Sequence, residues 1–369
     1  MKGRDRNARC WCGSELKYKK CHLARDAQKP ENLWNAVSAN KKAFSERTCF
    51  ARDVGLGPCE GKIIRAHSVS RGPNLNRIAV DGHVLTYQVD PRLKRTNGSL
   101  INIKEVGINQ ASAFYGFCGL HDRVLFSCLE NEIFAATPLQ CLTVAYRTIS
   151  RELYGKDASA HLRTTLHGAD KGRSLSDQFL FQAKLSEISL GNEAARRELR
   201  ATFDCLTSAL VHRQVNLISS MIIEFDGQLP FMFAGAWSPL TDFYGRQLQD
   251  VCSDQLLEQI IVSSFAAESR AIVCISWREI EGAPGRIVAE QISMLPSEEQ
   301  ASAVLQFVVK HIENIFFNPD WYRDLEETHK KHLQYLAEDG LDFMGSPPSA
   351  LIRREIGFDL PPSLSVTWQ

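Results

Sequence analysis

The chain has 369 residues, 44% hydrophobic and 23% charged, with 43 Lys and Arg balanced by 43 Asp and Glu. That composition suits a globular protein of two or three domains that can bury a sizeable core. No apolar run reaches the roughly 18 residues of a membrane-spanning helix, and the basic start MKGRDRNARC lacks the apolar stretch of a secretory signal, so a cytoplasmic location without membrane insertion is expected. The overall neutrality hides an asymmetry: residues 1–110 carry 21 Lys and Arg against 10 Asp and Glu, and residues 111–369 carry 22 against 33. A basic front and an acidic rear suggest modules with different partners, and the front suits a polyanion such as nucleic acid.

The first element is RCWCGSELKYKKCHL, residues 9–23. Cys10, Cys12, Cys21 and His22 have the spacing C-x-C-x8-C-H, a donor set for tetrahedral zinc. Gly13 and Ser14 let the chain reverse, and LKYKK returns it to the second ligand pair. The neighbouring lysines offset thiolate charge. So short a segment has no hydrophobic core of its own, and a metal supplies its folding energy. Disulfides are disfavoured in a reducing cytosol.

The stretch CWCGSELKYKKCH resembles the SEC-C motif, a zinc-binding segment found at the C-terminal end of the SecA translocase motor and appended to many bacterial proteins. The motif runs Cys-x-Cys-Gly-Ser-Gly-x-Lys-Tyr-Lys-x-Cys-His/Cys, and Glu15 stands where it usually has glycine. The resemblance implies that Cys10, Cys12, Cys21 and His22 bind zinc. It also implies a docking role rather than catalysis, since a closed four-ligand site offers no open coordination position.

A polar stretch, residues 26–48, reads as a linker with a helix around Trp34 to Phe44. Residues 49–135 read as a second zinc unit. Cys49, Cys59, Cys118 and His121 make a Cys3His set, with Cys118 and His121 spaced to share one metal from a turn entering a helix. Joining a loop near residue 50 to a helix start near residue 120 is the treble-clef arrangement. HVLTYQVD and SLINIKEV alternate as strands, with turns at Pro91 and Asn97-Gly98. AFYGFCGLHDRVLFSCLE reads as a loop entering a helix.

The same unit resembles HNH-type nucleases: a cysteine pair, a strand ending in a histidine (IIRAHSVSR), an excursion, then a loop–helix carrying a Cys/His pair. The resemblance implies that His67 is the general base and His121 or Asp122 the residue entering the metal helix, with Asn74, Asn76 or His83 in the middle position and Mg2+ or Mn2+ as cofactor. Ala66 departs from the acidic residue usual before the base, and the excursion to Cys118 is long. Arg65, Arg71 and Arg77 are candidate phosphate contacts.

Residues 136–369 read as an acidic α+β domain for recognition or assembly. Helices are expected from about 136 and over Ser176 to His212. VNLISSMIIEFDG, FMFAGAW, EQIIVSSFAA, RAIVCISW and RIVAEQISML read as strands of a mainly antiparallel sheet. Ser297 and Gln300 match a capping box opening a helix through AVLQFVVKHIENIFF, and a further helix runs from Trp321 to Glu338. His161 and His167 are expected on an exposed surface, and His329 and His332 on a solvated helix face.

The fold expected is therefore α+β: an N-terminal zinc knuckle, a treble-clef-like zinc unit, then helices packed on a mainly antiparallel sheet. The function expected is a cytoplasmic protein of two zinc ions that docks on protein or nucleic acid through its basic front. The alternative is an HNH-like metal-dependent endonuclease with His67 as general base, of the kind that serves bacterial host-defence systems. Oligomerisation stays open. No phosphate-loop, dinucleotide-binding or nucleophile-elbow motif occurs in the rear.

Overall fold

The computed structural model describes residues 6–32, 38–39, 42–89, 99, 101–340 and 355–369. The fold is α+β with a mainly antiparallel sheet. The chain packs as two compact units that do not follow its linear segmentation. One joins residues 1–46 to 153–197, and the other joins 47–152 to 198–369. Most of the expected linker helix, together with Pro91 and Asn97-Gly98, lies outside the described residues.

The first unit holds the N-terminal cysteine cluster, the end of helix α2 (Pro138–Ser159) and the start of helix α3 (Leu175–His212). A short helical turn, Leu162–Leu166, lies between them. Arg196 of α3 reaches Asp157 of α2 at 2.8 Å, and Asn192 donates to the Lys156 carbonyl at 3.2 Å.

The second unit is built on an eight-stranded sheet. Its strands are β2 (His83–Val89), β3 (Ile101–Gly107), β5 (Ile218–Phe225), β6 (Phe231–Trp237), β7 (Ile260–Ala267), β8 (Arg270–Arg278), β9 (Ile315–Phe317) and β10 (Ser363–Trp368). Their order is β10-β5-β8-β7-β6-β9-β2-β3, antiparallel throughout. Strands β2 and β3, expected within the zinc unit, thus extend the rear sheet. The sheet is covered on both faces, so β7 and β8 read as near-continuous apolar runs. The period of two is still visible in β6. Phe231 and Phe233 point into the core under helices α4 (Pro284–Ser293) and α5 (Ser297–His311), while Met232 and Ala234 pack with Val69, Leu75 and Ile78 on the other face.

Four local expectations give way. RIVAEQISML is helix α4, not a strand: Pro284 opens it, and Val288, Ala289 and Ile292 bury one helical face. Gly285 sits where a Cβ would come within 2.6 Å of Trp277, so glycine allows α4 to lie close on β8. The expected helix through IFF stops at His311, and Ile315–Phe317 becomes β9. Ser297 is not a capping residue; Pro296 precedes the helix, and Gln300 donates to the Leu295 carbonyl. The expected helix from Trp321 splits into Pro319–Asp324 and α6 (Glu327–Asp339), where His332 is buried and bonded to Gln306 at 2.9 Å.

Candidate metal centres

In the first unit, residues 9–23 fold as a small knuckle. Arg9 bridges Lys17, the Cys10 N–H donates to the Leu16 carbonyl, and a 3-10 turn over Tyr18–Lys20 returns the chain. The Tyr18 carbonyl accepts from the N–H groups of Cys21, His22 and Leu23, which fixes the second ligand pair. Gly13 and Glu15 both adopt left-handed backbone, at φ +72° and +60°. The second is the position where the motif usually carries glycine, so Glu15 holds a conformation that disfavours a side chain.

The donor atoms of Cys10, Cys12, Cys21 and His22 lie within 4.8 Å of one another, and all four residues are buried. Cys10 Sγ is 3.2 Å and Cys21 Sγ 3.1 Å from His22 Nδ1, and Cys12 Sγ is 3.5 Å from Cys21 Sγ. A tetrahedron built on zinc bond lengths has edges of roughly 3.5–3.8 Å, so the donor set fits a metal of that size. Burial pushes the Cys10 thiol up to about 12. Burial alone would also raise Cys12, but hydrogen bonds from the Ser14 hydroxyl and backbone outweigh it and bring Cys12 down. Arg25 brings a cation to this cluster, with Nη1 3.7 Å from Cys21 Sγ.

Residues 6–24 match the SEC-C motif. The match covers the knuckle and ends there. Neither a curated protein nor a solved structure matches the chain.

In the second unit, β1 (Ile63–His67) pairs antiparallel with β4 (Ala113–Cys118), and β4 leads into helix α1 (Gly119–Leu125). AFYGFC is thus a strand rather than a loop. This pairing brings Cys118 and His121 to the loop bearing Cys49 and Cys59, and these four donors also lie within 4.8 Å of one another. Cys49 Sγ is 3.2 Å and Cys59 Sγ 3.8 Å from His121 Nδ1, while His121 Nε2 bonds the Gly57 carbonyl at 3.2 Å. That second bond leaves Nδ1 to face a metal. Burial pushes the Cys49 thiol up to about 12. Each cluster can therefore hold one metal ion. Among the described residues these are the two groups of three or more such side chains close enough to share an ion.

The nuclease candidates are placed differently. His67 ends β1, and its buried Nε2 has no hydrogen-bond partner among the described residues. Burial, helped by the Arg71 charge, lowers its pKa. Asp122 lies in the first turn of α1, and burial raises its pKa. Both feel the charges of Arg147 and Glu130, yet neither belongs to a metal-binding group. Asn74 is engaged elsewhere, accepting from the Ala266 N–H at 2.9 Å. His83 is exposed and bonds the Asp81 carbonyl. Asn76 and Arg77 are exposed on the short helix Asn76–Ile78.

Arg65 and Arg71 do converge. Arg71 Nη1 donates to Asn109 Oδ1 at 2.8 Å, and Arg65 Nη1 to the Asn109 carbonyl at 3.4 Å. Arg65 also donates to the Tyr115 hydroxyl at 3.1 Å, and the guanidiniums of Arg47 and Arg65 lie 5.2 and 5.7 Å from the Tyr115 ring centre. Arg47, Tyr115 and Asn109 carried no sequence signal: each is a common residue outside any motif, and only the β1–β4 pairing assembles them. His167 was expected on an exposed surface; it is half-buried, with Nε2 3.4 Å from Cys21 Sγ.

No helix among the described residues is long and apolar enough to cross a membrane.

Proposed function

We propose that the chain binds two zinc ions as folding elements and docks on single-stranded nucleic acid through the β1–β4 face of its second zinc unit, a treble-clef-like module. Three cysteines and one histidine per cluster favour zinc over harder cations, and four protein ligands leave no open position for chemistry. The observation that carries the docking reading is the Arg47–Tyr115–Arg65 stack with Arg71 joined to it through Asn109. Guanidiniums supply phosphate contacts, and an aromatic ring flanked by them offers a face for an unstacked base. The excess of Lys and Arg in residues 1–110 supports the same reading.

Fluorescence anisotropy of labelled single-stranded RNA and DNA, titrated across salt, tests it. Binding should weaken steeply with salt, and Arg65→Ala and Arg71→Ala should each reduce the log–log slope by about 1. Absence of binding at low salt would leave docking on protein as the surviving role for this face.

A second reading is favoured by one observation. His67 ends β1 two residues after Arg65, and its buried Nε2 has no hydrogen-bond partner among the described residues. An unpartnered imidazole nitrogen within reach of the Arg71 charge is what a general base in an HNH-like nuclease would use. Cleavage of RNA or DNA with Mg2+ or Mn2+, abolished by His67→Ala, would support it; binding without cleavage would dismiss it.

A further inference from the structure

The donor set at Cys10–His22 is surrounded by side chains from far along the chain, all within the same compact unit. His22 faces the thiols through Nδ1, and its Nε2 is 3.0 Å from Asp170 Oδ2, 148 residues away. Asp170 is fully buried; its Oδ1 pairs with Arg25 Nε at 2.7 Å, and Gln182 donates to its Oδ2 at 2.8 Å. Arg25, itself 2% exposed, also donates to the His167 carbonyl, as does Gln182 at 2.9 Å. His167 Nε2 lies 3.6 Å from Cys12 Sγ and 3.4 Å from Cys21 Sγ. It is outside the group of four mutually close donors, so it sits on the Cys12–Cys21 edge rather than at a fifth corner.

We propose that residues 167–182 complete the first metal centre. Asp170 is a positioning residue that holds His22 as the Nε2–H tautomer and aims Nδ1 at the metal, while His167 and Arg25 donate hydrogen bonds to the thiolates of Cys12 and Cys21. A ligating histidine gains basicity and a fixed ring plane from a carboxylate on its other nitrogen. Three thiolates, a divalent ion and a neutral imidazole leave one net negative charge, which donors along the Cys12–Cys21 edge stabilise. The second cluster shows the contrast: there the histidine's outer nitrogen is held by a backbone carbonyl, that of Gly57 in the loop bearing Cys59, and not by a carboxylate. The knuckle is therefore no autonomous appendage. Metal binding at residues 10–22 orders residues 161–182, and those residues in turn raise metal affinity.

This inference rests on metal binding at the first cluster, and one set of measurements separates the two. On the full chain, zinc affinity is measured by chelator competition, Co2+ loading by its thiolate charge-transfer absorption, and amide exchange over residues 161–182 with and without zinc. Cys10→Ser reports on the cluster itself. Asp170→Asn should keep its secondary structure and weaken zinc binding at this cluster by about 10–100-fold. His167→Ala should shift the Co2+ charge-transfer band, and His167→Gln, which retains a donor, should restore most of it. Zinc should slow exchange over 161–182 in the wild type and not in Cys10→Ser. Affinity within threefold of wild type in Asp170→Asn, an unmoved band in His167→Ala, or zinc-independent exchange over 161–182 would overturn the inference and leave the cluster intact. Wild-type binding insensitive to Cys10→Ser would overturn both. Lys184→Ala, an exposed pair with Glu187 on α3, should leave every readout unchanged.

Discussion

Replacing Glu15 with glycine should strengthen the first metal centre, and replacing Gly13 with alanine should weaken it. Glu15 is exposed, with φ at +60°, and Gly13 lies at φ +72°. A non-glycine residue in left-handed backbone costs roughly 1–2 kcal/mol. Glycine returns about 0.4–1 kcal/mol of that through the greater freedom of its unfolded chain. Glu15→Gly should therefore gain about 0.5–1 kcal/mol, a two- to fivefold increase in zinc affinity, because binding and folding free energies are shared in such a segment. For Gly13→Ala the backbone strain exceeds the entropy that alanine saves in the unfolded chain, and a close contact adds to the strain. The backbone strain appears, and the new methyl meets Arg163 Nη2 at 2.7 Å, where that guanidinium donates to the Cys12 carbonyl. A loss of about 1–2 kcal/mol, roughly 5–30-fold in affinity, is expected. Chelator competition on the intact chain measures both. Weaker binding in Glu15→Gly, or no change in Gly13→Ala, would refute the claim that backbone conformation in this turn limits affinity.

Three further expectations concern buried titratable side chains. Arg147 is 4% exposed and bonded to Glu130 and Ser70, whereas the Glu130 side chain is 39% exposed. Glu130→Ala should therefore cost about 3–5 kcal/mol by stranding a buried cation, and Arg147→Met only about 1–2 kcal/mol because water solvates the carboxylate left behind; urea unfolding gives the order, and a reversed order contradicts the burial argument. His311 stacks on Trp237 at 4.4 Å, and burial with the Lys310 charge pushes its pKa down to about 3. Its folded pKa lies below the unfolded value of about 6.5, so its stabilisation is complete above that pH and is lost as pH falls toward 3, at up to about 1.4 kcal/mol per unit. His311→Phe should remove about 2 kcal/mol of the stability difference between pH 7 and 5, and an unchanged difference would place the acid sensitivity elsewhere. With Cys10 and Cys49 pushed up to about 12, these two thiols are protonated at neutral pH. Zinc affinity should rise with pH by up to about tenfold per unit for each proton released, which calorimetry in buffers of different ionisation heat would count.

The ligands were legible because metal chemistry fixes residue types at short spacing. Cys10, Cys12, Cys21 and His22 fall within one turn and return. Cys49, Cys59, Cys118 and His121 were legible because a Cys-x-x-His pair at a helix start needs partners. The rear sheet was legible from alternation and apolar runs, but RIVAEQISML was not: its β-branched residues resemble a strand, and only Pro284 and the Val288–Ala289–Ile292 spacing favour a helix. Asp170 carried no signal, since one acid in the loop GADKGR looks like any solvated charge, and only the packing of residues 153–197 against 1–46 shows its role. The recruitment of β2 and β3 into the rear sheet depends on one short strand, Ile315–Phe317, whose three residues read as the end of a helix.

Two independent metal centres in one chain fix a stoichiometry that elemental analysis of the purified 369-residue chain reads without further assumption. Two zinc ions per chain are predicted, falling to one in Cys10→Ser and to one in Cys49→Ser, and to none when both are changed; one ion in the wild type, or two retained in either single variant, would contradict it.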